Sequence, residues 1–497
     1  MRLRLIIDSG LAYVWHRRLA DRLKREGHEV AIATVVRSSG DERLRRAVKI
    51  ARMIERHLYR IPPDHPTALL DAEAVVALGA QAVEGQADCT IDLAGAGAPG
   101  PVIAPRFDGS REDMAAVAAI IDGRAPVIEI AYRGAGDTVD RVIARGRPAI
   151  EDRAILTRAL DQMAVGALRL LLQSIRRISA GEPPIETAAS QPPVLASRSP
   201  FRHVANALAA KIAARLTGLL TYPDHWRIGW RWTKGDAVGD GLVWPQQPYR
   251  FLADDRQRYF ADPFAFVHDG AAHVFCEEFP YATRRGIISM FTVTREGAAS
   301  PPRPVLERPY HLSYPLVFAE GGAIWMIPES SENRTVELYR AQRFPDVWVR
   351  EAVLVENVVA ADATLVTHGG RRWLFAAVSE DGSSSWDALG LFHALDLFGP
   401  WTAHPLNPLL IDVEAARPAG MMFTRQGRLL RPAQDCTNGY GSALTLCEVT
   451  RLDPHGYEQR IVRRLPPPAS WKAHGVHTLN GAGGLEVIDC VGARRRF

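Results

Sequence analysis

From Met1 to about Ile178 the chain alternates short apolar runs with stretches of helical period. Leu3–Ile7 predicts a strand, Trp15–Gly27 a helix, His28–Val35 a strand and Glu42–Arg60 a helix. Further on, Cys89–Leu93 and Ala125–Tyr132 predict strands and Glu151–Ile178 a long amphipathic helix. Strands separated by helices argue for an α/β layer with a mainly parallel sheet. Residues Ser179–Pro200 then lose all periodicity and become rich in Pro, Ser and Ala, which is linker composition. Phe201–Leu220 predicts an amphipathic helix leading into a second domain.

Past about Asp224 the runs shorten to strand length, and turn dipeptides such as Asp269-Gly270 and Gly369-Gly370 stand at hairpin spacing. A unit recurs: a short motif, a strand, a glycine turn, and a second strand carrying an aromatic. Its motifs are Ala261-Asp262-Pro263-Phe264, Ser313-Tyr314-Pro315-Leu316, Ala361-Asp362-Ala363-Thr364, Arg417-Pro418-Ala419-Gly420 and His474-Gly475-Val476-His477. Their first residues are 52, 48, 56 and 57 positions apart. Units of about 50 residues built of four short strands are propeller blades, and five of them fill the chain from Asp224 onward. The reading is a multidomain α/β plus all-β protein: an α/β domain over 1–178, a linker and helix over 179–223, and a five-bladed β-propeller over 224–497.

Composition adds exclusions. The chain has 497 residues, 47% hydrophobic and 23% charged, ordinary for globular domains. Sixty Lys and Arg stand against 56 Asp and Glu, a formal charge of +4, too weak a field to argue for a nucleic-acid partner. The closing Arg494-Arg495-Arg496 run reads as a solvated tail. No stretch reaches the roughly 20 apolar residues of a membrane span, since Ala205–Leu220 is broken by Lys211 and Arg215. Five scattered cysteines without a CxxC pair predict reduced thiols and no zinc site, so no metal is expected. A cytoplasmic protein, peripheral at most to the inner membrane, is the expectation.

In a propeller the starts of the innermost strands face the axis, so the five motifs converge on one pocket. That brings together Asp262, Asp362, Arg417, His474 and His477, with Glu277, Glu278, Glu329 and Asp435 one strand further out. Glycosyl chemistry needs one protonated carboxyl to release the leaving oxygen and one ionised carboxyl to activate the acceptor or stabilise ring charge. Carboxyls from different blades can supply both, although Asp-Pro also commonly marks a plain turn. Arg417 and Arg431 can hold a phosphate or uronate through a bidentate fork, or pair with Asp362 and Asp435. His225 with Trp226 and Trp230 can stack on a sugar ring or fill the core. The Gly95–Gly100 cluster lacks the Lys-Ser/Thr of a phosphate loop and reads as plain loop.

Several segments carry a resemblance. His225-Trp-Arg-Ile-Gly-Trp230, Phe260-Ala-Asp-Pro-Phe264 with Phe275-Cys-Glu-Glu-Phe279, Met326-Ile-Pro-Glu-Ser330, Ala361-Asp-Ala-Thr-Leu365, and Arg431-Pro-Ala-Gln-Asp-Cys436 with Tyr440-Gly441 occur in order at blade spacing. They resemble the propeller domain found N-terminal in plant glucosamine inositolphosphorylceramide transferases. That domain is similar in turn to the five-bladed propellers of arabinanase and β-xylosidase type. The resemblance implies Asp262 as base, Asp362 as the residue that sets its pKa and Glu329 as candidate acid. In the plant proteins the transferase activity is ascribed to a separate C-terminal domain that has no counterpart here. The N-terminal half looks like a formyltransferase-type, Rossmann-like α/β domain, carried by its strand-helix order and Asp88-Cys-Thr-Ile-Asp-Leu93. The Asn-His-Asp set of that chemistry is missing, because no Asn precedes Asn206 and the histidines before residue 200 are His16, His28, His57 and His65. A domain silent in formyl transfer is therefore expected.

These observations favour a carbohydrate-active enzyme of cell-surface glycan or glycolipid biosynthesis, acting by glycosyl transfer at the propeller axis on a glycan or glycolipid. Asp262, Asp362 and Glu329 are the catalytic candidates, and Arg417, Arg431, His474, His477, Asp435, Trp230 and Glu278 the substrate-binding ones. No cofactor is identified, and a nucleotide-sugar or lipid-linked sugar donor fits. A glycoside hydrolase, a non-catalytic glycan-binding protein and an amino-sugar formyltransferase stay open as alternatives.

Overall fold

Leu3, Leu5 and Ile7 alternate along β1 (Arg2–Asp8) and are all fully buried, which places this strand inside the N-terminal sheet and not at its edge. The computed structural model describes residues 1–36, 42–79, 86–181, 199–253, 255–380 and 382–495. Most of the linker composition read between 179 and 200, and Arg496 of the basic tail, lie outside these residues. The chain forms two compact units, Met1–Ala214 and Arg215–Phe497.

In the first unit, α1 (Val14–Arg25) buries Trp15, Leu19 and Leu23 along one stripe and leads to β2 (Glu29–Val35). Next come α2 (Glu42–Tyr59), α3 (Ala72–Gly79), β3 (Cys89–Asp92), β4 (Val102–Phe107), α4 (Met114–Ile121), β5 (Ile128–Arg133), β6 (Arg141–Gly146) and α5 (Leu156–Ser179). The strand order is β2-β1-β3-β4-β5-β6. Pairings among β2, β1, β3 and β4 are parallel, whereas β5 runs antiparallel to both β4 and β6. The sheet is thus mixed: three of its five pairings are parallel, in line with the mainly parallel expectation, while the antiparallel β5 and β6 depart from a Rossmann-like sheet. β5 and β6 are joined directly without a helix, and such a short connection enforces antiparallel pairing. The core helix α5 is fixed at its start by Glu55 of α2, which accepts the Leu156 and Thr157 N–H groups at 2.9 and 2.8 Å and the Thr157 hydroxyl at 2.7 Å. A carboxylate at a helix N-terminus satisfies orphan donors and complements the dipole.

A helix, α6 (Pro200–Leu220), carries the division between the units. Among the described residues no helix is long and apolar enough to cross a membrane.

The second unit is a five-bladed propeller. Blade 1 holds Arg258–His268, Ala271–Pro280, Ile287–Val293 and Arg303–Leu306; blade 2 holds Ser313–Glu320, Ala323–Glu329, Thr335–Arg343 and Val347–Glu356. Blade 3 holds Val359–His368, Arg371–Ser379, Ala388–Ala394 and Thr402–Ala403, and blade 4 Phe423–Arg425, Arg428–Asp435, Ala443–Asp453 and Gly456–Leu465. Blade 5 joins Leu479–Ala482 and Leu485–Arg495 from the end of the chain to Thr221–Trp232 and Arg250–Phe251 from the start of the unit. That closure, which removes the open sheet edges, does not follow from the repeat.

Every blade makes the same turn between its first two strands. Asp269-Gly270, Gly321-Gly322, Gly369-Gly370, Gln426-Gly427 and Gly483-Gly484 all have positive φ at both residues. Such pairs match the twist of the flanking strands and set their register. Between neighbouring blades lie five apolar layers: Phe275 with Met326, Trp325 with Leu374, Phe375 with Leu429, Leu446 with Ile488, and Val487 with Val274. All five cysteines are buried free thiols.

Candidate active site at the propeller axis

The first strand of a blade does not run straight. In blades 1, 2 and 3 the register slips by one residue, between Ala261 and Phe264, Ser313 and Leu316, and Ala361 and Thr364. The residue at each bulge is Asp262, Tyr314 or Asp362, with φ of 51°, 45° and 56°. Left-handed backbone at a non-glycine residue costs roughly 1–3 kcal/mol and persists only where its surroundings enforce it. The bulge turns these side chains toward the axis. Tyr314 donates across the ring system to neither acid but accepts the Gly420 N–H of blade 4 at 2.6 Å and pairs with Thr364 of blade 3 at 2.8 Å.

Opposite the bulges stands a second ring. Ala261 pairs with Glu277, Ser313 with Glu329 and Ala361 with Ala377, so these second-strand residues share one register. In blade 5 Asp489 has the same task as Glu329. It accepts backbone N–H groups from His477 and Thr478 at 3.1 and 3.0 Å and, from the next blade, Asp262 at 2.9 Å. Glu329 likewise receives the Asp362 N–H of its next blade at 3.4 Å. Each carboxylate thus anchors the neighbouring bulge.

The side chains then form two linked groups. On one side His477 Nδ1 lies 2.6 Å from Asp489 and its Nε2 3.4 Å from Asp262, whose Oδ1 also accepts the Thr478 hydroxyl at 2.9 Å. On the other, Arg417 of blade 4 grips Asp362 with Nε at 2.6 Å and a second nitrogen at 3.3 Å, and stands 3.9 Å from Glu329. Gln434 adds a donor to Asp362 at 2.9 Å. Glu277 differs from both. Its Oε1 is buried without a hydrogen-bond partner among the described residues, with His311 Nε2 at 3.4 Å. Half-buried Tyr440 packs on this cluster, 5.0 Å from the Arg417 guanidinium, while Trp226 stacks on His477 at 3.8 Å.

Ionisation is divided among these groups. Burial pushes Glu277 well above the usual carboxylate range, and the nearby Asp262 and Glu329 charges push it further. Asp262 is also raised, by burial and Asp489, against the pull of His477. Burial raises Asp362 while Arg417 opposes it. Burial acts on Glu329 too, but Arg417 and the Ser331 hydroxyl outweigh it and hold the carboxyl below its ordinary value. His477 is raised by Asp489 and Asp262 despite its burial. Asp262, His477 and Asp489 offer ligand atoms within 4.8 Å of one another. The hydrogen bonds already described occupy most of the Asp489 lone pairs, so the three act as a hydrogen-bonded chain.

The structure therefore brings together Asp262, Asp362, Glu329, Arg417 and His477. It does not bring in the other sequence candidates. His474 is exposed and pairs with Asp224 at 3.5 Å. Arg431 is buried within blade 4, where it donates to the Ala415 and Ala416 carbonyls and to Gln459. Asp435 pairs with Arg464 of the same blade. Trp230 fills the layer between blades 5 and 1 and donates to the Gly297 carbonyl at 3.2 Å. Glu278 faces away from Glu277, as strand alternation requires, and binds Arg258 at 2.5 Å and Ser289 at 2.6 Å. His225 bonds Tyr281 at 2.7 Å.

Residues 253–482 match the family described as glucosamine inositolphosphorylceramide transferase 1, N-terminal. Over 236 residues the chain is 30% identical to glucosamine inositolphosphorylceramide transferase 1 of Oryza sativa subsp. japonica, covering 46% of this chain and 32% of that protein. The protein of the same name from Arabidopsis thaliana is 31% identical over 205 residues, 40% of this chain and 27% of that one. Among solved structures, a GH43 beta-xylosidase/alpha-arabinofuranosidase from a compost microbial metagenome is similar at 12% identity, with 48% and 92% of the two chains covered and a TM-score of 0.36. An exo-1,5-alpha-L-arabinanase from a bovine ruminal metagenomic library is similar at 15% identity, with 49% and 95% covered and a TM-score of 0.33. The chain spans about a third of the length of the curated relatives it matches.

Proposed function

We propose that the propeller axis is a glycan site and that the protein transfers a glycosyl group in the assembly of a glycolipid or other cell-surface glycan. One observation carries this reading. Within one buried cluster Glu277 is driven toward its protonated form and Glu329 toward its ionised form, the division of labour that glycosyl chemistry uses.

Glu277, with an unengaged oxygen, is the proton donor to the departing oxygen. This role was expected of Glu329, but the ionised form that Arg417 favours cannot donate. Asp262, raised toward the range where a general base works well and oriented by Thr478 and His477, takes the proton of the acceptor hydroxyl. Glu329, held in its ionised form by Arg417, supplies the negative field that stabilises positive charge on the sugar ring. Tyr440 offers a face for sugar stacking.

The relatives' name supports transfer of glucosamine to an inositolphosphorylceramide as the first reaction to assay. A nucleotide-sugar donor would put the reaction in the cytoplasm, at the membrane surface that holds the acceptor. The N-terminal unit is silent in formyl transfer on this reading.

The test incubates the full chain with nucleotide sugars and inositolphosphorylceramide, and separately with nitrophenyl glycosides. Transfer that drops at least about a hundredfold in both Asp262→Asn and Glu277→Gln, with folding and glycan affinity retained, is expected. Hydrolysis alone would replace transferase by hydrolase. Undiminished turnover in both variants would remove the cluster from the chemistry.

A further inference from the structure

The N-terminal unit holds a cavity of about 730 Å³ that the axial chemistry does not use. It lies where the chain leaves the ends of β1, at Asp8 and Gly10, and of β3, at Leu93 and Ala94. β1 is followed by β2 on one side and has β3 on the other. The loops at the carboxyl ends of these parallel strands therefore diverge, and such a switch point opens a ligand crevice in α/β sheets. The volume is that of a site for a small organic molecule.

The wall is strongly basic. Arg45, Lys49, Arg52 and Arg56 recur at helical spacing on α2, with Arg46 beside them, and Arg111 faces them from the loop after β4. These six cations share the lining with three carboxylates, Asp8, Glu112 and Asp113. Part of the charge is committed: Arg45 pairs with Asp113 at 3.1 Å, Arg52 donates to Thr67, and Arg111 binds Asp140 at 2.5 Å. Arg46, Lys49 and Arg56 have no ion-pair partner among the described residues, and the buried Nε atoms of Arg45 and Arg52 lack an acceptor. The floor is apolar, with Trp15, Met114, Val117 and Met163. From Lys49 to Arg56 the helix rises about 10 Å, a longer reach than a single phosphate offers.

We propose that this cavity binds a diphosphate ester, with the diphosphate along Arg46, Lys49 and Arg56 and its organic group on the Trp15–Met163 floor. Extended negative charge next to an apolar body answers both halves of the lining. Two sources share that chemistry, a nucleoside diphosphate and an isoprenoid diphosphate. The inference is independent of the axial reaction and survives its failure.

Calorimetric titration of the full chain with inorganic pyrophosphate, uridine diphosphate and farnesyl diphosphate tests it. At least one of the two organic diphosphates should bind more tightly than pyrophosphate, and the tighter one identifies the source. Lys49→Glu and Arg56→Glu, both at exposed positions, should each weaken binding at least about tenfold while leaving thermal unfolding of the free protein unchanged. Absence of binding by all three at about 1 mM would overturn the proposal. So would binding that neither charge reversal alters, or pyrophosphate binding as tightly as both esters.

Discussion

Asp489 ties the last blade to the first, and its removal should show what that closure is worth. In Asp489→Ala three buried N–H groups, those of Asp262, His477 and Thr478, lose their acceptor, and His477 loses its 2.6 Å partner. An orphaned buried donor costs about 1–3 kcal/mol, and breaking a buried ion pair about 3–5 kcal/mol. These costs overlap because they share one carboxylate, so about 4 kcal/mol is the expectation. Asp489→Asn keeps one acceptor oxygen and should lose about half as much. For a unit of this size 4 kcal/mol lowers the midpoint by roughly 10 °C. Urea unfolding followed by tryptophan fluorescence gives the free energy, and scanning calorimetry the midpoint. The alanine variant should also slow turnover, since the bulge at Asp262 loses its anchor. A loss below about 1 kcal/mol for Asp489→Ala would refute the argument that this carboxylate holds the ring closed.

Glu277 carries a pH signature. Because the folded state raises this pKa, the resulting stability is complete below the ordinary carboxylate range and is lost as pH rises through the raised value. Glu277→Gln, always neutral, should therefore gain relative to the wild type as pH rises above the ordinary carboxylate range, in parallel denaturation curves. Glu278→Gln serves as the contrast: it weakens the bonds to Arg258 and Ser289, costs about 1–2 kcal/mol in unfolding assays, and leaves turnover within about twofold. Arg417→Met removes the cation between Asp362 and Glu329, and should cost about 3–5 kcal/mol at neutral pH. Acid should restore much of that loss, as the two carboxyls protonate.

The repeat could be read from the sequence because its turns are local chemistry. Asp269-Gly270 and Gly369-Gly370 need φ above zero at both positions, and glycine or aspartate supplies that wherever it stands. The strand Val102–Phe107 escaped the sequence reading because Pro105 has no N–H to give, and Arg141–Gly146 because charge at both ends hides a short edge strand. In the site, Asp262 and Asp362 were legible as the second residues of repeated motifs. Choosing between Glu277 and Glu278 needed the parity of the strand. A signal for it was present: the seventh residue after the turn glycine is Glu277, Glu329, Ala377 and Gln434 in four successive blades. Asp489 breaks that count because its hairpin is shorter, which is why it was missed.

The ionisation pattern could not be read in the same way, because it belongs to the ring and to no single blade. Five carboxyls, of Asp262, Glu277, Glu329, Asp362 and Asp489, face two cations, Arg417 and His477, and all seven are buried. Like charges in a low-dielectric site cannot all be carried at once, so protons must stay on the carboxyls that lack donors. Asp489 has three N–H groups, Asp362 and Glu329 share Arg417, and Asp262 has Thr478 and His477. One Glu277 oxygen has no hydrogen-bond partner among the described residues, His311 Nε2 standing 3.4 Å away, and the retained proton falls to it. The fold thus selects the acid by supplying hydrogen bonds to its competitors. Giving Glu277 a donor of its own should move the proton elsewhere in the ring. Replacing Ala377, at the same register in blade 3, would test only packing, whereas His311→Lys would bring a lasting cation beside Glu277. On this reasoning His311→Lys should shift the alkaline limb of the pH–rate profile to lower pH. An unchanged limb would mean that another group in the ring holds the proton.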